Sequence, residues 1–421
     1  MVLGTWCMVL GAWCMVHGAW CMVHGAWGMV HGAWQMDVSY RSHSGPEMKF
    51  EVESTSGRAR AGRFHTDHGD VETPLFMPVG TVGSVKGVSP RDLVEEIRAP
   101  IVLANTYHLY LRPGTLVLEQ FGGLHRFMSW NGPILTDSGG YQVFSLSGNR
   151  HLEEEGVTFK SHLDGSSHLF TPESVIDIQR SIGSDVVMVL DECPPADVSG
   201  DYARESLELT MRWAARCRRR FDETESHYGT RQYLFGIAQG VVEAALRREA
   251  AERLIEIGFD GYAIGGLSVG EEAPVMYEMV EACSAVLPEA APRYLMGVGT
   301  PENLIECIAR GIDMFDCVMP TRNGRNGMVF TTEGVMNIRN EKWRVSDTPI
   351  DGGLDTYASS TFSRGYLRHL FQAGEILGLH IASVQNLSFY LWLMREARAA
   401  IVEQRFDAWS ERILPIVSRR L

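Results

Sequence analysis

Residues 233–267 read YLFGIAQGVVEAALRREAAERLIEIGFDGYAIGGL. An apolar run (YLFGIAQG, 233–240) leads into an amphipathic stretch (AALRREAAERLIEIG, 244–258) and then into a second apolar run (DGYAIGGL, 260–267). Unbroken apolar runs suit strands buried on both faces, and the helical period between them suits the crossover that joins parallel strands. The unit recurs along the chain. Further apolar runs are PIVLANTYH (100–108), GPILTDSGG (132–140), SDVVMVLDE (184–192), RYLMGVG (293–299) and MFDCVMP (314–320). Further amphipathic stretches are PESVIDIQRSIG (172–183), ARESLELTMRWAARCRRRF (203–221), APVMYEMVEACSAVL (273–287) and TPENLIECIARG (300–311). Seven such units, with an early segment at 73–79, predict an α/β fold of the (β/α)8 TIM-barrel type. A doubly wound open sheet would carry a Gly-rich phosphate turn after its first strand, and this chain has none there.

Outside the repeating units, the first 35 residues are five copies of a seven-residue motif, MVLGTWC, MVLGAWC, MVHGAWC, MVHGAWG and MVHGAWQ. A Gly in every copy and the lack of flanking charge pairs argue against a coiled coil. The missing basic start argues against a signal peptide. The reading expects three parts: 1–47 as a repetitive, unstructured extension that stands outside the fold, 48–340 as the catalytic barrel, and 341–421 as a C-terminal helical subdomain. The formal charge of −14 speaks against a generally basic surface, although a local basic patch remains compatible with it. No apolar run was expected to reach the ~18 residues of a membrane span. Cys193, Cys217, Cys283, Cys307 and Cys317 stand singly, as reduced thiols of a cytoplasmic protein would.

Asn105, Asp137, Asp191, Gln239, Gly266 and Asp316 all fall at or just after the C-terminal end of an apolar run. In a parallel barrel those ends converge on one rim, where barrel enzymes keep their chemistry. A single Asp in that position is commonly a helix cap. Six successive positions point to a site. Asp137 in TDSGGYQVF and Asp316 in GIDMFDCVMPTRNGRNG make a carboxylate pair suited to an oxocarbenium-like reaction at a glycosidic carbon. The glycines after Asp137 allow close backbone approach to a flat ligand, and Tyr141 offers a stacking face. Asp191 and Gln239 supply the acceptors and donors needed to read a purine edge. Arg322 and Arg325, in a basic loop beside Asp316, suit the phosphates of a polynucleotide.

ANTYHLYLRPG, LTDSGGYQVFSL, DECPP, FGIAQG, GYAIGGLSVGE, YLMGVGTPEN and FDCVMPTRNGRNG together resemble the bacterial tRNA-guanine transglycosylases, in order and spacing, from about residue 48 to the C-terminal region. The resemblance implies a pentosyltransferase of queuosine biosynthesis that exchanges guanine at the wobble position of G-U-N anticodon tRNAs for 7-aminomethyl-7-deazaguanine (preQ1). Asp316 would be the nucleophile of a covalent enzyme–RNA intermediate and Asp137 the proton acceptor. Tyr141 and Met296 would sandwich the base, with Ser138, Gly139 and Gly140 beside it. Asp191, Gln239, Gly266 and Leu267 would read its edges, with Glu271 orienting the peptide between the last two. Gly297, Val298, Gly299, Thr300, Pro301, Glu302 and Asn303 would hold the anticodon loop together with Thr321, Arg322, Asn323, Gly324 and Arg325. Cys193 and Val269 match members that use preQ1, since Val leaves less room for a larger queuine.

One element departs from the family. Its members hold a structural zinc through a CxCxxC run and a His, and the matching positions here are Leu354, Thr356, Ser359 and Gln385. None offers sulfur or imidazole, so no zinc and no cofactor is expected. His369, His380 and Asp355 lack ligand spacing. Phe362, Tyr366 and His369 could keep the homodimer contact that the resemblance implies. Two competing readings remain: a paralogue acting on another nucleic acid, and a non-catalytic RNA-binding partner subunit. Retention of Asp137, Asp191, Gln239 and Asp316 weighs against the second.

Overall fold

The computed structural model describes residues 48–146 and 150–421, and the backbone of four short strands before them. Contacts divide the chain between Glu47 and Met48. In the first unit, Ala12–Val16 pairs antiparallel with Ala19–Val23, and Trp27–Val30 pairs with Ala33–Met36. The sequence reading expected no regular structure there; the rest of that repeat lies outside the described residues.

The second unit contains the barrel. Its strands are β1 (Leu75–Met77), β2 (Val102–Asn105), β3 (Ile134–Asp137), β4 (Val186–Met188), β5 (Tyr233–Ala238), β6 (Gly261–Ile264), β7 (Arg293–Leu295) and β8 (Met314–Asp316). All ladders between neighbours are parallel, from β2 through β8, and β8 pairs with β1. A parallel bridge between Val79 and Leu103 joins β1 to β2, with Leu103 N–H donating to Pro78 O (3.0 Å). Each strand is shorter than the apolar run that announced it. Asn105, Asp137 and Asp316 are the last paired residues of their strands, while Asp191, Gln239 and Gly266 lie past the ladder, and all six reach the rim.

The crossover helices start and stop where local chemistry dictates. Pro172–Ile182 begins with a capping box between Thr171 and Ser174, carries Pro at its first turn, and ends on Gly183 in the left-handed region (φ 77°). Gly200–Glu223 is capped by Ser199, and Pro301–Ile308 by Thr300, whose hydroxyl accepts from Asn303 N–H (3.2 Å). A three-stranded antiparallel sheet, Arg150–Leu152, Val157–Lys160 and Ser167–Phe170, is inserted between β3 and β4.

The opposite, N-terminal end of the barrel is held by buried acids. The sheet Phe50–Ser56, Ala59–Thr66 and Gly69–Thr73 is tied to it at two points. Arg60 grips Asp313, just ahead of β8, through Nε–Oδ1 (2.9 Å) and Nη2–Oδ2 (2.5 Å). Asp185, just ahead of β4, receives His68 Nδ1 on Oδ1 (2.7 Å), and His125 Nε2 (3.2 Å) and Ile134 N–H (2.8 Å) on Oδ2. The two imidazoles stack with centroids 3.7 Å apart. Hydrogen bonding to Asp185 raises the His68 pKa.

The segment from 341 onward is not a compact unit of its own. Its helix Ile376–Val402 packs on Met319–Arg325 and on the strand Met328–Thr331. Asn386 Nδ2 donates to Pro320 O (2.9 Å) and Met328 O (3.0 Å). That helix corrects the expectation about apolar runs. It is long and apolar enough to cross a membrane by length and composition, yet 72% of its apolar window is buried inside the protein, as in a core helix. The TRNGR stretch is likewise corrected from loop to helix, because Asn386 and the long helix fix its backbone.

Replacing Arg60 by Met keeps the length of the side chain but leaves the Asp313 carboxylate buried and unpaired. The change should cost about 3–5 kcal/mol of unfolding free energy in urea. A loss below about 1 kcal/mol would show that the pair does not anchor the sheet.

Candidate active site

The rim formed by the C-terminal strand ends encloses a cavity of about 460 Å³, within the range of small-molecule sites. Asp137, Asp191, Gln239, Gly266, Leu267, Met296 and Asp316 line it, as do Ser138, Gly139, Gly140 and Tyr141. The predicted strand-end residues therefore meet in one place.

Asp137 ends β3 and is almost fully buried. Its Oδ2 accepts from Asn105 Nδ2 (2.5 Å) and Gln142 Nε2 (3.3 Å), and its Oδ1 from Thr106 N–H (3.2 Å). Burial raises its pKa to about 7, against the Thr106 N–H bond; the nearby Asp316 charge pushes in the same upward direction. Asp316 ends β8. Its Oδ1 receives Tyr294 OH (2.6 Å) and Gly297 N–H (2.8 Å), and among the described residues no donor reaches Oδ2. Burial raises the Asp316 pKa as well, opposed by those two donors. One oxygen is held and the other is left to react.

Asp191 and Gln239 also meet. Gln239 Nε2 donates to Asp191 Oδ2 (2.6 Å), and Ser138 Oγ lies 3.4 Å from Asp191 Oδ1. Burial lifts the Asp191 pKa to about 6. Gln239 Oε1 is buried without a partner, an acceptor that a bound N–H would satisfy. Gly266 sits at φ 63°, and a Cβ there would lie 2.3 Å from that same oxygen. Among the described residues, neither Gly266 N–H nor Leu267 N–H meets a protein acceptor. Gly140 serves the protein more than a ligand, since a Cβ there would meet Asp191 O at 2.8 Å. Tyr141 is half exposed at the mouth. Cys193 and Val269 also line the cavity, and burial pushes the Cys193 thiol up to about 12, so it stays neutral.

Two placements differ from the sequence reading. Glu271 accepts from Ser268 N–H and Val269 N–H (3.0 Å), one and two peptides beyond the one between Gly266 and Leu267. In the proposed RNA-holding stretches, Val298, Gly299, Pro301, Thr321 and Gly324 are buried, Thr300 caps a helix, and Asn303 Oδ1 accepts from Tyr277 OH (2.7 Å). Gly297 and Arg322 are exposed at the cavity, Glu302 and Asn323 are half-buried, and Arg325 keeps a buried Nη1 without a partner.

Other residues escaped the sequence reading of the site. Tyr294 and Gln142 bond the two carboxylates, and His108 lines the cavity. Arg247 is fully buried behind the Gln239 and Gly266 loops. A signal for it existed. Arg247 shares the buried face of helix Ala244–Ile257 with Leu246, Ala250, Ala251 and Leu254, where a charge is unexpected.

The zinc positions do not fit that metal. Thr356 Oγ1 and Ser359 Oγ bond each other (2.5 Å), Leu354 is buried and apolar, and Gln385 Nε2 donates to Phe330 O (2.9 Å) and lies 3.4 Å from Asp351 Oδ2. Asp351, fully buried, further accepts from Thr332 N–H (2.8 Å), Thr332 Oγ1 (2.6 Å) and Gly353 N–H (3.0 Å). Two hydroxyls, an amide and an alkyl group offer no thiolate or imidazole. His369, His380 and Asp355 do not gather there: His380 bonds Gly87 O (2.7 Å), Asp355 pairs with Arg98 (3.0 Å) and His369 stacks on Tyr366.

Asp137 ties stability to pH. Between 3.8 and about 7 the folded protein keeps a proton that the unfolded chain releases, so this group lowers stability as pH rises through that window. Asp137→Asn should therefore gain unfolding free energy relative to wild type between pH 4 and pH 8, on the order of a few kcal/mol. Urea titrations across that range measure it. A difference that stays flat would contradict burial as the cause.

Residues 54–418 match the family described as queuine tRNA-ribosyltransferase. Proteins of that name are similar over most of both chains. The one from Solibacter usitatus (strain Ellin6076) is 54% identical over 363 residues, 86% of this chain and 96% of the relative. The one from Ruminiclostridium cellulolyticum is 53% identical over 353 residues, 84% and 93% respectively. The one from Caldanaerobacter subterraneus is 51% identical over 369 residues, 87% and 97%. With a parallel barrel, two carboxylates at its rim and identity of this extent, the chain belongs to the queuine tRNA-ribosyltransferase family.

Proposed function

We propose that this chain is a tRNA-guanine transglycosylase that exchanges the wobble guanine of G-U-N anticodon tRNAs for preQ1 through a covalent intermediate at Asp316. The observation that carries the reading is the asymmetric setting of the Asp316 carboxylate. Tyr294 and Gly297 fix Oδ1, which leaves Oδ2 for the ribose C1′. Attack forms a bond from Oδ2 to C1′ and breaks the bond to N9, and guanine leaves with that electron pair. Asp137, with a pKa near neutrality, gives N9 a proton and later takes one from N9 of the incoming base. That base attacks C1′ and releases the Asp316 carboxylate. Two displacements retain the configuration.

Asp191, Gln239 and the backbone of Gly266 and Leu267 would read the base, with Tyr141 and Met296 on its faces. Cys193 and Val269 on the cavity wall support preQ1 over a bulkier base. Arg322 at the mouth and Arg325 beside it would meet the RNA backbone. A flipped wobble base in a single-stranded loop reaches the cavity at low cost. The aromatic run Tyr357, Phe362, Tyr366 and His369, with Tyr357 edge-on to Phe362, the other pairs stacked and the two tyrosines exposed, supports a homodimer contact. Unpaired cysteines support a cytoplasmic protein.

Labelled guanine should enter a G-U-N anticodon stem-loop with wild-type protein. Asp316→Asn should lower the rate at least about a thousandfold. Exchange by Asp316→Asn at the wild-type rate, or none by wild type at high concentration, would overturn the reading. The non-catalytic alternative predicts the latter result with RNA binding intact.

The C-terminal segment should need no zinc, its place being taken by the hydrogen bonds around Asp351. Dialysis against a strong chelator should leave Tm and exchange rate unchanged, and elemental analysis should find far less than one zinc per chain. One tightly held zinc whose removal lowers Tm would contradict this.

A further inference from the structure

Arg247 is fully buried, yet among the described residues no carboxylate pairs with its guanidinium. Its bonds run to four carbonyl oxygens on two loops. Nε donates to Val241 O (2.8 Å) and Nη1 to Ala238 O (3.0 Å), on either side of Gln239. Nη1 also donates to Gly265 O (2.6 Å) and Nη2 to Gly266 O (3.1 Å). An isolated buried charge is costly, and packing alone would be met more cheaply by an apolar side chain. The two loops also hold unfavourable backbone at Val241 (φ 46°) and Ser268 (φ 59°). A β-branched residue at positive φ persists only where its surroundings enforce it.

We infer that Arg247 is a positioning residue for base recognition, one that clamps the Gln239 loop to the Gly266–Leu267 peptide at the spacing a purine edge requires. A trans peptide is planar, so holding Gly266 C=O from behind turns the Leu267 N–H of the same unit away from Arg247. Bonding at the carbonyl also polarises that unit and strengthens its N–H as a donor. On the neighbouring loop, the clamp at Ala238 and Val241 fixes Gln239 where its Oε1 is left without a protein donor. Arg247 itself does not line the cavity. Its effect falls on the free base and not on the RNA backbone, which would be met at Arg322 and Arg325. The inference rests on the assignment of Gln239 and Gly266–Leu267 as the base-reading groups.

The test uses the full chain with Arg247→Met, which keeps bulk and removes every donor, and Arg247→Lys, which keeps charge but lacks the fork. Guanine KM at saturating stem-loop should rise about tenfold or more in the Met variant, and less in the Lys variant. The KM for the stem-loop, whose wobble guanine meets the same groups but whose backbone is held elsewhere, should rise less than the guanine KM in both. Titration of guanine into RNA-free protein should show the same order of affinities. A folded Met variant with unchanged guanine KM would overturn the clamp, as would equal rises in both KM values. Should the Met variant fail to fold, the Lys variant decides: a guanine KM that rises more than the stem-loop KM supports the clamp, and an unchanged guanine KM overturns it. Wild-type protein that binds no guanine at all would overturn the base-reading assignment together with the clamp.

Discussion

A buried carboxylate, Asp137, and a half-buried one, Asp316, close β3 and β8 at their C-terminal ends, and the arrangement of the rim follows from that constraint. Desolvation alone would protonate both, which would leave no nucleophile. Donors at both carboxylates work against that cost, and the Asp316 charge adds to the rise at Asp137. Asp316 receives a phenol and a backbone N–H on one oxygen, which favours its charged form. Asp137 receives amide donors but remains an acid with pKa about 7. One group is thereby suited to attack and the other to carry a proton near neutral pH.

The barrel's two ends divide the work. At the N-terminal end, Asp185 and Asp313 are satisfied by His68, His125, Arg60 and backbone N–H groups, so their charges hold structure. At the C-terminal end, Gln239 Oε1 and the N–H groups of Gly266 and Leu267 are left unsatisfied by protein. Unmet hydrogen-bonding capacity in a buried pocket is what a ligand rich in donors and acceptors can use. The C-terminal segment supports this rim from behind. Asn386 on the long helix holds Pro320 O, four residues past Asp316, and the Asp351 network ties Thr332, Gly353 and Gln385 together.

Much of this was legible in the sequence because strand ends in a parallel barrel must converge. The apolar runs gave the strands, and the residue closing each run gave the rim, so Asp137, Asp191, Gln239 and Asp316 could be named without coordinates. Tertiary contacts decided the rest. TRNGR has the composition of a loop and becomes a helix only against Asn386 and its helix. The apolar helix Ile376–Val402 was missed because Arg, Glu and His interrupt its pattern while the fold buries most of its length. Tyr294 gives no periodic signal, since it lies inside a short apolar strand. Glu271 was assigned to the wrong peptide because a shift of one or two residues in a tight loop is invisible to spacing.

The most direct test of the account is to find which side chain carries the RNA. A short G-U-N anticodon stem-loop is incubated with the full chain without incoming base, the complex is denatured and digested, and the peptide bearing a nucleotide is sequenced by mass spectrometry. The account predicts the adduct on Asp316, in the peptide that begins at Gly311 and ends at Arg322. A nucleotide on Asp137 would contradict it.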